Sequence, residues 1–188
     1  MKTNKNLAII VFALLLSVAS FAQRAQKKAN VSTVNPKFDA TKNIIDNLSA
    51  SQNYSSLAKV FKAAEFEQIL RGEGPYTILA PSNDAISRSS ENLDFMTDPK
   101  NIHRTKDIAA YYMIPGKWYA SDFGKLIRMS QGRGEIKTAD GDILVLTLEN
   151  SIIYLTDAKG NKSKLVFTDA IQSNGIIHGI EKTFSPTN

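Results

Sequence analysis

The residues best suited to chemistry are two histidines, because the chain contains no cysteine. A catalytic base or a metal site would depend on His103 or His178. His178 follows two isoleucines in an apolar stretch, where an imidazole is most often hydrogen-bonded within the fold. His103 lies in a polar stretch and is expected at the surface. We therefore predict no catalytic residue; the enzymatic alternative is a hydrolase that uses His178 with Asp169 or Glu181.

Short motifs of known chemistry are absent from the sequence or incomplete. No HExxH, GxSxG or dinucleotide motif occurs, and GRGE at 132–135 lacks the lysine and hydroxyl residue of a phosphate loop. Asp140 and Asp142 flank Gly141, and Asp157 begins another polar loop. Without further spaced ligands, such carboxylates are usually turn residues and not a calcium site. We predict no metal and no cofactor.

The positive charge of the chain is concentrated near its start. The formal net charge is +5, yet residues 41–188 contain 17 basic and 17 acidic residues. The segment 23–40 has a net charge of +3, and two further lysines precede it. Binding of nucleic acid requires an excess of basic residues on a folded surface. A neutral domain therefore predicts that nucleic acid is not a partner.

Residues 1–22 have the pattern of a secretory signal peptide. Two lysines precede an uncharged run whose apolar part is too short to span a bilayer comfortably. Ser20 and Ala22 are small residues, as a cleavage site before Gln23 requires. We expect residues 23–40 to form a polar basic linker. The mature chain, with no transmembrane segment, is then expected in the periplasm, on the outer surface or in the medium.

The order of the expected elements indicates an α+β domain. Apolar residues at helical spacing dominate residues 41–129, whereas residues 134–183 are rich in β-branched side chains. A two-residue hairpin turn is expected at Asp140-Gly141, and residues 87–100 carry few apolar anchors. Helices that precede strands predict a helical layer on a mostly antiparallel sheet, and not a βαβ alternation.

Three ordered stretches resemble the fasciclin domain family. YTILAPSNDAI at 76–86 resembles the first signature, YYMIPGKWYASDF at 111–123 the middle element, and SNGIIHGIEKTFSP at 173–186 the second signature. The resemblance extends from about Thr41 to Pro186, which predicts one domain over 41–186. The positions that carry it are Pro81, Asn83, Asp84, Tyr112, Pro115, Gly116, Asn174, Gly175 and His178.

Several of these positions also have a structural interpretation from residue type alone. Ser82 or Asn83 is expected to cap the helix that follows Pro81, because short polar side chains accept hydrogen bonds from free helical amides, and Asp84 suits the helix dipole at the same start. Asn174 and Gly175 are expected to form a turn in which glycine adopts a positive φ.

The resemblance implies a wedge of two mostly antiparallel β-sheets with a helical layer along one edge. It also implies a non-enzymatic role in adhesion, because catalysis is not a usual property of the family. Many members have Tyr-His where this chain has Tyr111-Tyr112, so no role of that imidazole transfers. The stretch linked to integrin recognition in animal members corresponds to residues 168–171, where Asp169 and Ile171 fit the pattern.

Two pairs of residues are candidates for contact with a partner. The resemblance implies Asp169 and Ile171. Trp118 and Tyr119 belong to an aromatic cluster whose rings suit stacking on sugars or on a carotenoid-like ligand, although aromatic residues beside a Pro-Gly turn more often pack in the core. We predict a secreted, non-enzymatic protein that binds a surface protein or a polysaccharide. The alternative implied by the resemblance is a carrier of a small apolar ligand such as a carotenoid, held by the apolar faces of the first two helices.

Overall fold

The computed structural model describes residues 36–187, so the expected signal peptide and most of the expected linker lie outside the described residues. The described helices are α1 Ile44–Ala50, α2 Ser55–Ala63, α3 Glu67–Arg71, α4 Asn83–Ser87, α5 Leu93–Thr97, α6 Ile102–Tyr111 and α7 Ala120–Met129, with a 3-10 turn at Pro99–Asn101. The described strands are β1 Tyr76–Pro81, β2 Met113–Pro115, β3 Gly134–Lys137, β4 Ile143–Glu149, β5 Ile152–Thr156, β6 Lys162–Gln172 and β7 Gly175–Ile180.

The strands lie in the order β2-β1-β7-β6-β5-β4-β3. Strand β6 joins two sheets, because its first residues pair with β5 and the remainder pairs with β7. Each pairing is antiparallel except that of β1 with β7. The predicted α+β class, with mostly antiparallel sheets, is confirmed.

Helices α1 and α2 are held in place by burial of their apolar faces. Ile44, Leu48, Leu57 and Phe61 are fully buried. Burial of a side chain of this size contributes roughly 1.5–3 kcal/mol. The side chain of Ile44 lies against Gly175, so α1 covers the face of the sheet at the start of β7.

The packed region begins before Thr41, where the sequence places the start of the domain. The ring of Phe38 lies 6.2 Å from that of Tyr54 and 6.1 Å from that of Phe167. Tilted aromatic pairs at this separation contribute beyond the area they bury. Residues 36–40, assigned to the linker from sequence, therefore include a residue that packs against the core.

The segment 87–100 is more ordered than its few apolar residues indicate. Asn92 accepts a hydrogen bond from the N–H of Phe95 at 3.1 Å and so caps α5. Met96 of the same helix is 3% exposed. Leu93 and Phe95 of this helix are partly buried against the core, so packing stabilises the short helix together with its cap.

The connection between β3 and β4 differs from the expected two-residue turn. Lys137 pairs with Ile143, so residues 138–142 form the loop. The N–H of Thr138 donates to the carbonyl of Asp142 at 2.9 Å and closes this loop at its base. Asp140-Gly141 lies within the loop, as the turn chemistry predicts, but the loop is longer.

One side of helix α7 packs against β3, and the other side of the helix faces solvent. Phe123 is fully buried and Ile127 is 3% exposed. A Cβ on Gly134 of β3 would lie 3.0 Å from Leu126, which shows how closely the strand and the helix approach. The exposed side of α7 lines a groove beside Trp118.

Candidate binding site

His178 connects β7 to two other segments through hydrogen bonds. Its side chain is fully buried. The backbone N–H of Asp169 donates to Nδ1 at 3.2 Å, and Nε2 lies 2.8 Å from the carbonyl oxygen of Trp118. Because Nδ1 accepts, Nε2 must carry the proton and donate to Trp118. The prediction that His178 is hydrogen-bonded within the fold is confirmed.

This environment favours the neutral imidazole. Burial lowers the pKa of His178, while the Trp118 carbonyl and the charge of Asp169 act in the opposite direction. Protonation would place a second proton on Nδ1, which faces the N–H of Asp169. A general base needs a free ring nitrogen within reach of a substrate, and both nitrogens of His178 are bonded to backbone groups.

Asp169 has a structural partner of its own. It lies where the pairing of β6 with β7 is irregular, and it has a positive φ of 59°. One carboxylate oxygen accepts the N–H of Ala120 at 2.8 Å, which is the first residue of α7. A carboxylate in this position stabilises a helix start. Glu181 pairs with Lys164 at 3.0 Å, so each carboxylate of the hydrolase alternative is bonded to a group other than His178.

Ile171 and the turn that carries Trp118 lie over the same face of the sheet. Ile171 pairs with Ile176, which pairs with Thr77, and residues in register project from the same face. The hydroxyl of Thr77 donates to the carbonyl of Gly116 at 2.8 Å and accepts the N–H of Trp118 at 2.9 Å. The turn that carries Trp118 therefore lies over this face, and Ile171 is 45% exposed on it.

Trp118 is half-buried and fixed in orientation. Its Nε1–H donates to the carbonyl of Pro115 at 3.0 Å, and its ring stacks on Phe123 with centroids 6.2 Å apart and planes 14° apart. Together with one side of α7, the turn 115–118 encloses an open groove of about 550 Å³. The residues of α7 that line the groove are Asp122, Lys125, Leu126 and Met129.

Tyr119, the fourth predicted contact residue, is also half-buried. The ammonium group of Lys117 lies 5.5 Å from the centre of its ring. A cation at this distance is attracted to an aromatic face. Tyr119 therefore helps to position Lys117 at the rim of the groove.

The sequence points to Pro115, Gly116 and Trp118, but the residues of α7 that line the groove could not be predicted from it. Leu126 and Met129 are three residues apart, a spacing that usually indicates a buried helical face. Met129 is instead 74% exposed. The sequence shows the spacing of the apolar residues, but which side of α7 is covered depends on contacts with residues distant in sequence.

Of the two residues expected to cap the helix after Pro81, Ser82 does so and Asn83 caps a different helix. Ser82 accepts the N–H of Ala85 at 3.1 Å and caps α4. The side-chain oxygen of Asn83 accepts the N–H of Ser56 at 2.8 Å, at the start of α2. Asp84 lies exposed in the first turn of α4, where a negative charge suits the helix dipole. The two signature residues therefore stabilise different helices, Asn83 the start of α2 and Asp84 the start of α4.

Asn174 joins two helices to the last strand. Its side-chain oxygen accepts the N–H of Ile44 at 3.0 Å, at the start of α1. Its amide donates to the carbonyls of Leu70 and Gly72 at 2.7 and 2.9 Å, at the end of α3. These are groups that a helix leaves unpaired at its ends, so one buried side chain satisfies three of them.

The requirement for glycine at position 175 is different from the one expected. Gly175 does not adopt the positive φ that the turn interpretation requires. A Cβ at this position would lie 2.0 Å from the backbone oxygen of Tyr76 and 2.9 Å from the side chain of Ile44. Close approach of β1, β7 and α1 therefore excludes a side chain.

Tyr112 stands where many family members have histidine, and it binds the end of the domain. Its hydroxyl donates to the carbonyl of Phe184 at 2.9 Å and accepts the N–H of Phe184 at 3.0 Å. Burial raises the pKa of Tyr112 well above its usual range. Pro81 and Pro115 close strands β1 and β2, and Gly116 has the positive φ of 93° that the following turn requires.

The apolar faces that the carrier alternative assigns to a ligand are packed in the core. Ile44, Ile45, Leu48 and Leu57 are each 0% exposed. A carotenoid could reach these faces only by displacing the sheet beneath them. That location for a ligand is therefore wrong.

Residues 36–187 contain no group of three histidine or acidic side chains placed to hold a metal ion. None of the helices in this range combines the length and the apolar composition needed to cross a bilayer.

Comparison with known proteins places this geometry in a family. The Fasciclin domain model matches residues 52–186. Protein sll1483 of Synechocystis sp. is 25% identical over 180 residues, which cover 95% of this chain and 93% of that protein. Periostin of Homo sapiens is 24% identical over 150 residues, which cover 79% of this chain but only 16% of periostin.

A solved structure shows the same fold. It is a FAS1 domain pair from the insect cell adhesion molecule Fasciclin I, with a TM-score of 0.68 and 16% identity. The match covers 77% of this chain and 51% of that chain. With the family model matching well over half of its length, the chain belongs to the fasciclin domain family.

Proposed function

We propose that the protein is secreted and acts without catalysis in adhesion or envelope association, through the face that carries Ile171 and the Trp118 turn. The observation that carries the proposal is the 45% exposure of Ile171 on a face whose other large side chains are covered. Ile176, which pairs with Ile171 on the same face, is fully buried. An isolated exposed aliphatic beside a rigid aromatic turn is a suitable anchor for a partner.

The chemistry of the site supports a binding role. His178 is buried and bonded to backbone groups at both nitrogens, so it holds the turn in place and is not free for proton transfer. The carboxylate of Asp169 is bonded to the start of α7. Contact with a partner therefore falls to Ile171, with Asp169 supporting the surface. The relationship to the adhesion molecule Fasciclin I agrees with this role.

A matched pair of exposed isoleucines tests the proposal. Ile171 is 45% exposed and Ile69, on α3, is 46% exposed. Purified protein is mixed with cells or envelope fragments of the producing organism, and the bound fraction is measured after sedimentation. We expect I171S to bind at least about fivefold less than the unsubstituted protein, because apolar anchors at the centre of an interface dominate affinity. I69S should bind within about twofold.

Three other outcomes of this experiment would contradict the proposal, and each would indicate a different explanation. Equal loss in both variants would place the contact elsewhere, and the absence of any binding would remove the proposal. A coloured or apolar ligand that remains bound at one molecule per chain after gel filtration would favour the carrier alternative. The Tm of both variants must match that of the unsubstituted protein, so that a loss of binding is not a loss of fold.

A further inference from the structure

Two lysines and one carboxylate line the groove beside Trp118, so its charged groups sum to a net positive charge. Lys117 and Lys125 line it, and within residues 36–187 neither forms an ion pair. The lining carboxylate, Asp122, accepts the backbone N–H of Tyr119 at 2.9 Å and so is engaged at the start of α7. The two ammonium groups are therefore available to an anionic ligand.

The surrounding segment is basic although the domain is neutral. Residues 117–137 contain five basic and two acidic residues, whereas residues 41–188 contain 17 of each. This segment folds as α7 and β3, which lie side by side, with Gly134 against Leu126. A local excess of one charge in a concave site raises the concentration of ligands of the opposite charge.

The remaining lining is aromatic and aliphatic. Trp118 presents to the groove the part of its ring that Phe123 does not cover, and Leu126 and Met129 continue this apolar surface along α7. A sugar ring has an apolar C–H face that stacks on such surfaces, while its hydroxyl edge stays hydrated. A uronic acid adds a carboxylate at the ring edge, where it can meet a lysine.

We infer that this groove binds an acidic polysaccharide built from uronic acids. One sugar ring lies against Trp118, and carboxylates of the polymer pair with Lys117 and Lys125. The volume of about 550 Å³ is within the range of roughly 300–1,000 Å³ usual for ligand sites. A concave groove fits a chain of rings better than the flat surface of a membrane. The inference rests on the proposed function and names the class of partner.

Trp118 is the only tryptophan in the sequence, so its fluorescence reports directly on the groove. The purified protein is titrated with hexamers of galacturonate and of mannuronate, and with maltohexaose as a neutral probe. Emission and quenching by acrylamide are recorded. We expect at least one acidic hexamer to shield Trp118 from acrylamide, with an affinity at least about tenfold above that for maltohexaose.

Two double variants of equal net charge locate the contact. K117Q/K125Q removes the groove lysines, and K59Q/K100Q removes two exposed lysines that do not line the groove. We expect K117Q/K125Q to weaken binding of the acidic hexamer at least about tenfold and K59Q/K100Q to weaken it less than about twofold. Equal weakening would show that only net charge matters, and binding without shielding of Trp118 would place the ligand elsewhere.

Vesicles of phosphatidylglycerol provide the competing class of partner. If they shield Trp118 while both acidic hexamers fail, the groove recognises an anionic membrane surface and the inference is overturned. If both hexamers fail but binding to envelope material still depends on Ile171, the polysaccharide inference fails and the proposed function stands. Failure of both kinds of binding would remove both proposals.

Discussion

The backbone N–H of Asp169 and the Nδ1 atom of His178 are joined by a hydrogen bond of 3.2 Å. The pairing of β6 with β7 shifts register between Phe167 and Ala170, and the imidazole supplies the acceptor at this irregularity. The opposite ring nitrogen binds the carbonyl of Trp118 at 2.8 Å. One buried side chain therefore stabilises a bulge in the sheet and the turn that forms the groove.

Replacement of His178 should destabilise the fold. In H178F the N–H of Asp169 and the carbonyl of Trp118 lose their partner inside the protein, and each buried unpaired group costs about 1–3 kcal/mol. We expect the free energy of unfolding, measured by urea denaturation at pH 7.5, to fall by about 2–4 kcal/mol. H103F at the exposed histidine is the control and should change it by less than about 0.5 kcal/mol. A loss below 1 kcal/mol in H178F would contradict the assigned role.

The lowered pKa of His178 predicts the direction in which stability changes with pH. Burial lowers the pKa of His178 below the value of 6.5 expected in the unfolded chain. The unfolded state then binds the proton more readily, so the stabilisation is complete above about pH 6.5 and is lost as the pH falls toward the folded pKa. Urea titrations at pH 7.5, 6.0 and 5.0 should show a decreasing free energy of unfolding. H103F should keep this slope, and H178F should lose the part due to the imidazole.

Replacing Asn83 should cost more stability than replacing its neighbour Asp84. N83A removes the cap of α2 and also the hydrogen bond that the side-chain amide of Asn83 donates to the carbonyl of Gln52 at 2.8 Å. We expect a loss of about 1–2 kcal/mol. D84A removes an exposed ion pair with Arg88 and a negative charge in the first turn of α4, and we expect a loss below about 1 kcal/mol because both effects are weak at an exposed site. Urea denaturation of the two variants measures both losses. Equal losses would show that the contacts of Asn83 with the start of α2 stabilise the fold no more than the exposed carboxylate of Asp84 does.

Much of the fold could be predicted because its determinants are local. Helical spacing in α1 and α2 and the β-branched strands after Gly134 each depend on residues close in sequence. The partners of Asn83 and Asn174 could not be predicted in this way. Asn83 binds a helix 27 residues earlier, and Asn174 binds the start of α1 from 130 residues away. The residue types indicated capping, but the spatial arrangement decided which helix is capped.

The candidate site was predictable only in part for the same reason. Trp118 and Ile171 were identified from an aromatic cluster and from a family resemblance, yet nothing local indicates that Thr77 places them on one face. The exposure of Met129 depends on which side of α7 meets β3. Sequence patterns give the type of each element, whereas the contents of a groove depend on which elements pack together.

Gly175 should tolerate no side chain, for a reason that its dihedral angles do not show. In G175A the added Cβ would meet the backbone oxygen of Tyr76, which cannot move without opening the pairing of β1 with β7. We expect a loss of at least about 3 kcal/mol, typical of severe overpacking or broken backbone pairing. Thermal or urea unfolding will measure the loss.

G160A is the matched control for this prediction. Gly160 has a positive φ of 83° and open space around it, so alanine there should cost only about 1–2 kcal/mol of backbone strain. If G160A were the more damaging of the two, the dihedral angle and not the close approach would be the stronger reason for glycine in this protein.

Substitutions of Asp169 test whether its carboxylate stabilises the fold or contacts a partner. D169A removes the acceptor for the N–H of Ala120 and leaves alanine at a φ of 59°, which together should cost about 2–3 kcal/mol. D169N keeps a side-chain oxygen and tolerates this backbone conformation, so we expect it to lose less than about 1 kcal/mol. Binding of D169N to envelope material should stay within about twofold, since the structural role needs the oxygen and not the charge. A D169N protein that folds normally but no longer binds would show that the carboxylate itself contacts the partner, as the family resemblance implies.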